Sequence, residues 1–157
     1  MIGKLNYLEK CTRPDIAYAV HQCARFSSCP RQSHGEAVHR IGEYLLGNRE
    51  KGIVIKPDKH MEQFVCWADA AFAGEWNKDI AGDDPTTAKS RTGYVLMFAG
   101  CPIMWSSKLQ TEIALSTVEA EYIAFSQGLR EVLAMMSLVE EAKTKKVPIL
   151  SNPKTIV

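Results

Sequence analysis

Apolar positions in the first third of the chain recur with a helical period. Ile16, Val20, Cys23 and Ser27, flanked by Ala17 and Ala24, line one side of a helix that runs up to Pro30. Val38, Ile41, Tyr44 and Leu45 form a second stripe of the same kind, and a short helix over Lys4 to Lys10 precedes both. Each stripe follows a capping box, in which a hydroxyl accepts a helix amide and a carboxylate three residues on reaches back to the cap. Thr12-Arg13-Pro14-Asp15 supplies one, with Pro14 in the first turn where its missing N–H costs little, and Ser33-His34-Gly35-Glu36 supplies the other. Gly47 is expected to end the later helix in the left-handed conformation.

From residue 53 the period changes. Gly52-Ile53-Val54-Ile55 and Gln63-Phe64-Val65-Cys66-Trp67 are apolar runs of strand length. Thr92 to Phe98 and Ile103 to Ser106 form a second pair, joined by Ala99-Gly100-Cys101-Pro102 as a hairpin turn. Between the pairs, Glu75 to Ser90 is rich in Asp, Gly, Pro and Thr and reads as an exposed loop. A third capping box, Ser116 with Glu119, opens a long helix to about Lys143. Its apolar positions are Ile123, Leu129, Val132, Leu133, Met136 and Leu138, and Gly128 marks a point of weakness. Val147 to Leu150 reads as one more strand. The pattern is α/β in the α+β sense: a mixed sheet carrying a packed long helix, preceded by a small helical unit. The boundary falls between residues 1–52 and 53–157.

Composition narrows the class. A hydrophobic share of 46% with 24% charged residues is that of an ordinary globular protein, and no apolar run reaches the roughly 18 residues a membrane span requires. The start, Met1-Ile2-Gly3-Lys4, lacks the apolar core of a secretory signal, which points to an intracellular protein of the cytoplasm or nucleus. Five cysteines without C-x-x-C spacing read as reduced thiols, not as a disulfide or zinc framework. With a net charge of +1, any nucleic-acid contact has to come from a local patch.

Candidate chemistry concentrates in two places. Glu121 falls in the first turns of the long helix, with apolar neighbours on its own face, where a carboxylate is poorly solvated unless it meets a cation or a wet cleft. Asp69 follows the apolar run Val65-Cys66-Trp67-Ala68 at a strand end. Two such carboxylates are suited to sharing divalent metal. The plainer readings are a turn residue for Asp69, core positions for Trp67, Tyr94 and Trp105, structural roles for His21, His34 and His39, and solvated surface for Lys143, Lys145, Lys146, Arg40, Arg49 and Lys51.

At this point several blocks resemble a known family. Leu5-Asn6-Tyr7-Leu8, Thr12 to Ile16 and Arg40 to Gly47 resemble the tail of a copia-type retrotransposon reverse transcriptase. Asp69 to Gly74, Ser90 to Tyr94, Trp105-Ser106-Ser107-Lys108 and Leu115 to Ala124 resemble the ribonuclease H domain that follows it in the Pol polyprotein. The resemblance implies a reverse-transcriptase tail over 1–52 and a truncated ribonuclease H-like domain over 53–157, whose C-terminal part is missing. It also implies a fold and an activity. In the family, RNA in RNA–DNA hybrids is cleaved with two Mg²⁺ ions held by Asp and Glu, because paired divalent cations about 4 Å apart repel and anionic ligands offset that repulsion.

By resemblance, Asp69 matches the first catalytic and metal-binding Asp and Glu121 the helix Glu. The next family carboxylate is expected where Ser151 stands, and a further one lies beyond Val157. Two carboxylates are expected to hold at most one weakly bound Mg²⁺, leaving the chain inactive alone as a fragment of Pol. The alternatives are a non-catalytic nucleic-acid-binding or packing module and a nuclease completed by another chain. Trp105 to Lys108, with Gln110 and Thr111, would then line a hybrid-binding face. Expected partners are the hybrid and the rest of reverse transcriptase and Pol. Self-association through an uncovered sheet edge near Ile149 is a further expectation.

Overall fold

The computed structural model describes residues 1–58, 60–61, 63–79 and 81–145, together with the backbone of 154–156. The chain divides into two compact units, Met1–Val54 and Ile55–Val157. The first holds helices α1 (Ile2–Cys11), α2 (Ala17–Arg25) and α3 (Gln32–Gly47), with a single 3₁₀ turn, Pro14–Ile16, leading into α2. Leu5, Ile16, Val20, Cys23 and Ile41 form its core, one or two from each helix. The periodicity of this region places Ile16, Val20, Cys23 and Ile41 in the core correctly, whereas Ser27 and Tyr44 on the same stripes are exposed.

The caps differ from expectation. Thr12 and Asp15 do not form a box. The Asp15 carboxylate is taken by the guanidinium of Arg13, at 2.7 Å from Nη2 and 2.9 Å from Nε, and accepts the Tyr44 hydroxyl at 2.9 Å. An ion pair outcompetes a cap here because Arg13 is itself buried and needs an anion. Ser33 lies inside α3, whose start is Arg31; His34 reaches back, its Nδ1 accepting the Arg31 amide at 3.0 Å while its ring stacks on Phe26 at 4.2 Å. Gly47 ends α3 without a left-handed turn; Asn48 is the cap, with φ −132°.

The second unit is a four-stranded sheet of order β3-β2-β1-β4, built from β1 (Gln63–Ala71), β2 (Arg91–Phe98), β3 (Cys101–Leu109) and β4 (Lys154–Ile156). β1 and β2 pair antiparallel, as do β2 and β3, while β4 runs parallel to β1 from Gln63↔Lys154 to Val65↔Ile156. The hairpin turn is tighter than expected: only Ala99 and Gly100 lie outside the strands. Their φ values of 50° and 76° are the left-handed pair that matches strand twist. The expected strand over Gly52 to Ile55 does not form; those residues have no regular structure, and Val54 and Ile55 are exposed. The expected strand over Val147 to Leu150, and Ser151, lie outside the described residues.

One helix, α4 (Thr117–Thr144), packs on the sheet. Its start is as predicted: Ser116 Oγ accepts the Glu119 amide at 3.1 Å, and the Glu119 carboxylate takes the Leu115 amide at 2.6 Å, one residue before the cap. Gly128 does not break it. The buried residues are Ala120, Ala124, Gly128 and Val132, a stripe at i, i+4 in which Val132 alone comes from the apolar positions read from the sequence. Of those, Leu133, Met136 and Leu138 are exposed. A Cβ at Gly128 would sit 3.0 Å from Cys66 Sγ and 3.5 Å from Ala68 Cβ. Small residues thus let the helix backbone lie close to β1, and Phe64, Cys66, Leu96 and Val132 fill the space beyond. Among the described residues, no helix is long and apolar enough to cross a membrane.

Candidate functional site

The direction of α4 follows from three contacts. Gln110 Nε2 donates to Ala120 O at 2.9 Å and to Thr92 Oγ1 at 3.2 Å, and Thr92 pairs with Ala70 on β1. Gly128 stands over Ala68 and Cys66, and Val132 packs with Phe64. The helix therefore begins at the C-terminal end of β1 and runs back toward its N-terminal end. Glu121, next to Ala120, and Asp69, next to Ala70, come to the same end of the sheet.

Their surroundings correct one expectation. Glu121 does not lie on a buried face; it is exposed, as is Asp69. At about 100° per residue, Glu121 is only about 20° around the helix from Gly128, so it turns toward the sheet side of α4. Among the described residues, β4 pairs with β1 at residues 63–65, and the edge of β1 beside Asp69 is unpaired. Asp69 departs from the side of β1 opposite to Ala68, since successive strand residues alternate. On that side Trp67 is 67% exposed, which corrects its assignment to the core.

The segment after Asp69 is fixed to the start of β2. Ala73, with φ 44°, donates its amide to Ser90 Oγ at 3.2 Å, and the Gln110 amide donates to Ser90 O at 2.8 Å. Arg91 pairs with Glu75 at 2.8 Å, both largely buried. Asp84 caps the turn Pro85–Ala88 by accepting the Thr86 amide at 3.1 Å. The stretch expected to be an exposed loop is thus anchored, with Thr87 and Ser90 buried. Gln110 is corrected as well: at 1% exposure it lines no hybrid-binding face but ties α4 to β2, and its Oε1 has no partner among the described residues. Nothing in sequence spacing separates a buried Gln from an exposed one at a strand end.

Several other titratable groups of the two units make contacts within the fold. Burial pushes the Cys66 thiol up and keeps it neutral. Burial also pushes the Tyr94 phenol up, nearby Glu131 adds to this, and a hydrogen bond with Ser106 opposes it. Lys143 and Lys145 pair with Glu140 and Glu141 along the helix, as a solvated helix end does. His39 pairs with Glu43 on the surface at 3.3 Å.

No group of three or more His, Cys, Asp or Glu side chains is placed to hold a metal among the described residues. Asp69 and Glu121 are exposed carboxylates that leave the sheet end on opposite faces, each a hard oxygen donor of the kind of which a largely hydrated Mg²⁺ takes one or two. They do not suit a pair of ions, whose repulsion two anionic side chains cannot offset.

Comparison with known proteins agrees with the block pattern of the sequence. The chain is 39% identical over 142 residues to the retrovirus-related Pol polyprotein from transposon TNT 1-94 of Nicotiana tabacum, covering 89% of this chain and 10% of that protein. It is 33% identical over 141 residues to the Pol polyprotein from transposon RE1 of Arabidopsis thaliana, covering 90% of this chain and 9% of the relative. The chain thus spans about a tenth of the length of these Pol relatives. It is also 33% identical to secreted RxLR effector protein 161 of Plasmopara viticola, covering 92% of this chain and 93% of that protein. No family model matches the chain, and no solved structure matches it. With the helical unit, the sheet and its packed helix in place, and matches that run through both units, the chain belongs to the Pol family of copia-type retrotransposons.

Proposed function

We propose that this chain is a ribonuclease H-like segment of a retrotransposon Pol protein, with a reverse-transcriptase tail before it, that does not cleave RNA on its own. The observation that carries this reading is that Asp69 and Glu121 lie at the same end of the sheet. It is produced by the antiparallel course of α4 over β1 and by the Gln110 tie between Ala120 and Thr92. In this reading a Mg²⁺ at this end of the sheet would supply a positive charge for a phosphodiester oxygen; Asp69 leaves β1 on the face away from α4 and Glu121 leaves α4 on its sheet side, so the two do not grip one ion together and its binding is weak. The chain's own residues position it: Ser90 and Arg91 fix the strand end, and Ser116 fixes the helix start. The partner is the rest of Pol, and the substrate class is an RNA–DNA hybrid.

A cleavage assay on an RNA–DNA hybrid in Mg²⁺, comparing the chain with Asp69→Asn, tests the absence of activity. Equal background cleavage by both is expected; cleavage by the parent chain that Asp69→Asn abolishes would overturn inactivity and favour a nuclease completed by another chain. Calorimetric titration with Mg²⁺ tests the site, with weak binding expected in the parent and none in Asp69→Asn or Glu121→Gln.

The exposure of Trp67 favours a second reading, a non-catalytic binding module on which a nucleobase stacks, since base–aromatic stacking contributes about 1–3 kcal/mol per base. Hybrid affinity that falls with salt, is lost in Trp67→Ala and survives Glu121→Gln supports it. No measurable affinity removes it.

A further inference from the structure

We propose that the outward face of α4 is a self-docking surface, along which two copies of this chain pair antiparallel about a two-fold axis at Leu129. Val118, Tyr122, Phe125, Leu129, Leu133 and Met136 fall within about 80° of arc on the helix and extend over about 27 Å of its length. This stripe is separate from the sheet-facing stripe of Ala120, Ala124, Gly128 and Val132. All but Leu129 are exposed, Tyr122 at 70% and Leu133 at 53%, and Leu129 is half-buried at the centre. None belongs to either core cluster.

The spacing selects the partner. Phe125 and Leu133 lie four residues either side of Leu129, and Tyr122 and Met136 lie seven either side, so the central five positions read the same in both directions. A two-fold interface needs this property, because residue i must meet residue j while j meets i. In antiparallel register Tyr122 meets Met136 of the second copy, an aromatic–thioether contact that is favourable in its own right. Phe125 meets Leu133, and Leu129 meets itself. Part of each side chain is already covered within its own chain, so the five central pairs make a small interface, of the size of a weak, concentration-dependent association. No charged residue falls on the stripe between Val118 and Met136; beyond it, Glu140 of the second copy meets Val118.

Sedimentation of the whole chain across a wide concentration range tests the proposal, with far-ultraviolet circular dichroism as the check on folding. A reversible dimer is expected. Phe125→Glu and Leu133→Glu are expected to weaken it by roughly thirtyfold or more, the scale of a central interface residue. Tyr122→Lys combined with Met136→Glu sets opposite charges against each other only in antiparallel register, and is expected to dimerise. Tyr122→Lys combined with Met136→Lys is expected to remain monomeric. A parent chain that is monomeric at every concentration overturns the proposal. So does a dimer that survives Phe125→Glu and is lost in Trp67→Glu, which would place the interface on the sheet. Failure of the charge-paired variant to dimerise overturns the antiparallel register.

Discussion

Asp15 and Asp69 are the same side chain put to opposite uses in the two units. Asp15 is closed in: Arg13 grips it with two nitrogens, Tyr44 donates its hydroxyl, and the Arg13 guanidinium also reaches Asn48 O at 3.1 Å and lies 5.7 Å from the Tyr44 ring centre. Asp69 and Glu121 make no ion pair among the described residues and stand open at the sheet end. A carboxylate that meets a cation within its own chain is committed to the fold. One left open is available to something that the chain does not contain. The difference is testable, because the first kind of residue should matter to stability and the second should not.

The strongest way to sharpen the comparison is to measure what the fold rests on apart from charge. Phe64→Ala removes a fully buried ring that packs 4.8 Å from Phe98, and a loss of about 3–5 kcal/mol is expected in urea denaturation. Gly128→Val tests the close approach of α4 to β1. With Cys66 Sγ 3.0 Å from the first added carbon, overpacking of about 1–3 kcal/mol is expected, measured the same way.

Charge comes next. Arg13 above all, then the Tyr44 hydroxyl, holds the Asp15 carboxyl down at about 2, against an ordinary 3.8, with burial opposing. A depressed folded value means that the ionised form stabilises the native state above the unfolded value, and that this stabilisation fades as pH falls. The urea midpoint should therefore lose a contribution between pH 4 and pH 2 that Asp15→Asn lacks. An unchanged pH profile in Asp15→Asn would break the comparison from one side. The smallest effect is expected for Asp69→Asn and Glu121→Gln, each within about 0.5 kcal/mol of the parent by the same denaturation, as for surface sites without buried partners. A large destabilisation by either would break it from the other side.

Local pattern was legible where a single element decides the outcome. The helical stripe from Ile16 to Cys23, the Ser116 cap and the β2–β3 hairpin all follow from residues near one another in sequence. The errors arose where a distant residue intervened. Thr12 and Asp15 read as a cap until Arg13 and Tyr44 are seen to compete for the same carboxylate. Gly128 read as a weakness because its reason, Cys66 Sγ beneath it, lies on another element. The apolar positions of α4 did not reveal its packed side, because periodicity registers that a stripe exists, not which of two stripes faces the sheet. Asp69 and Glu121 were legible as candidate carboxylates. Their exposure was not, since it depends on how α4 and β1 meet, which no local spacing records.

The placement of β4 bears on the order in which the sheet assembles. β2 and β3 are joined by a two-residue turn, and β1 pairs with β2 across the anchored segment 72–90. Gln63, by contrast, waits for Lys154, roughly ninety residues later. Closing so long a loop carries more entropy and comes late in folding. During synthesis the hairpin and α4 are already available while the outer edge of β1 still has nothing to pair with. Any other strand present at that moment competes for the same row of amides and carbonyls, so the yield of folded chain is set by how soon Lys154 to Ile156 reach the edge of β1.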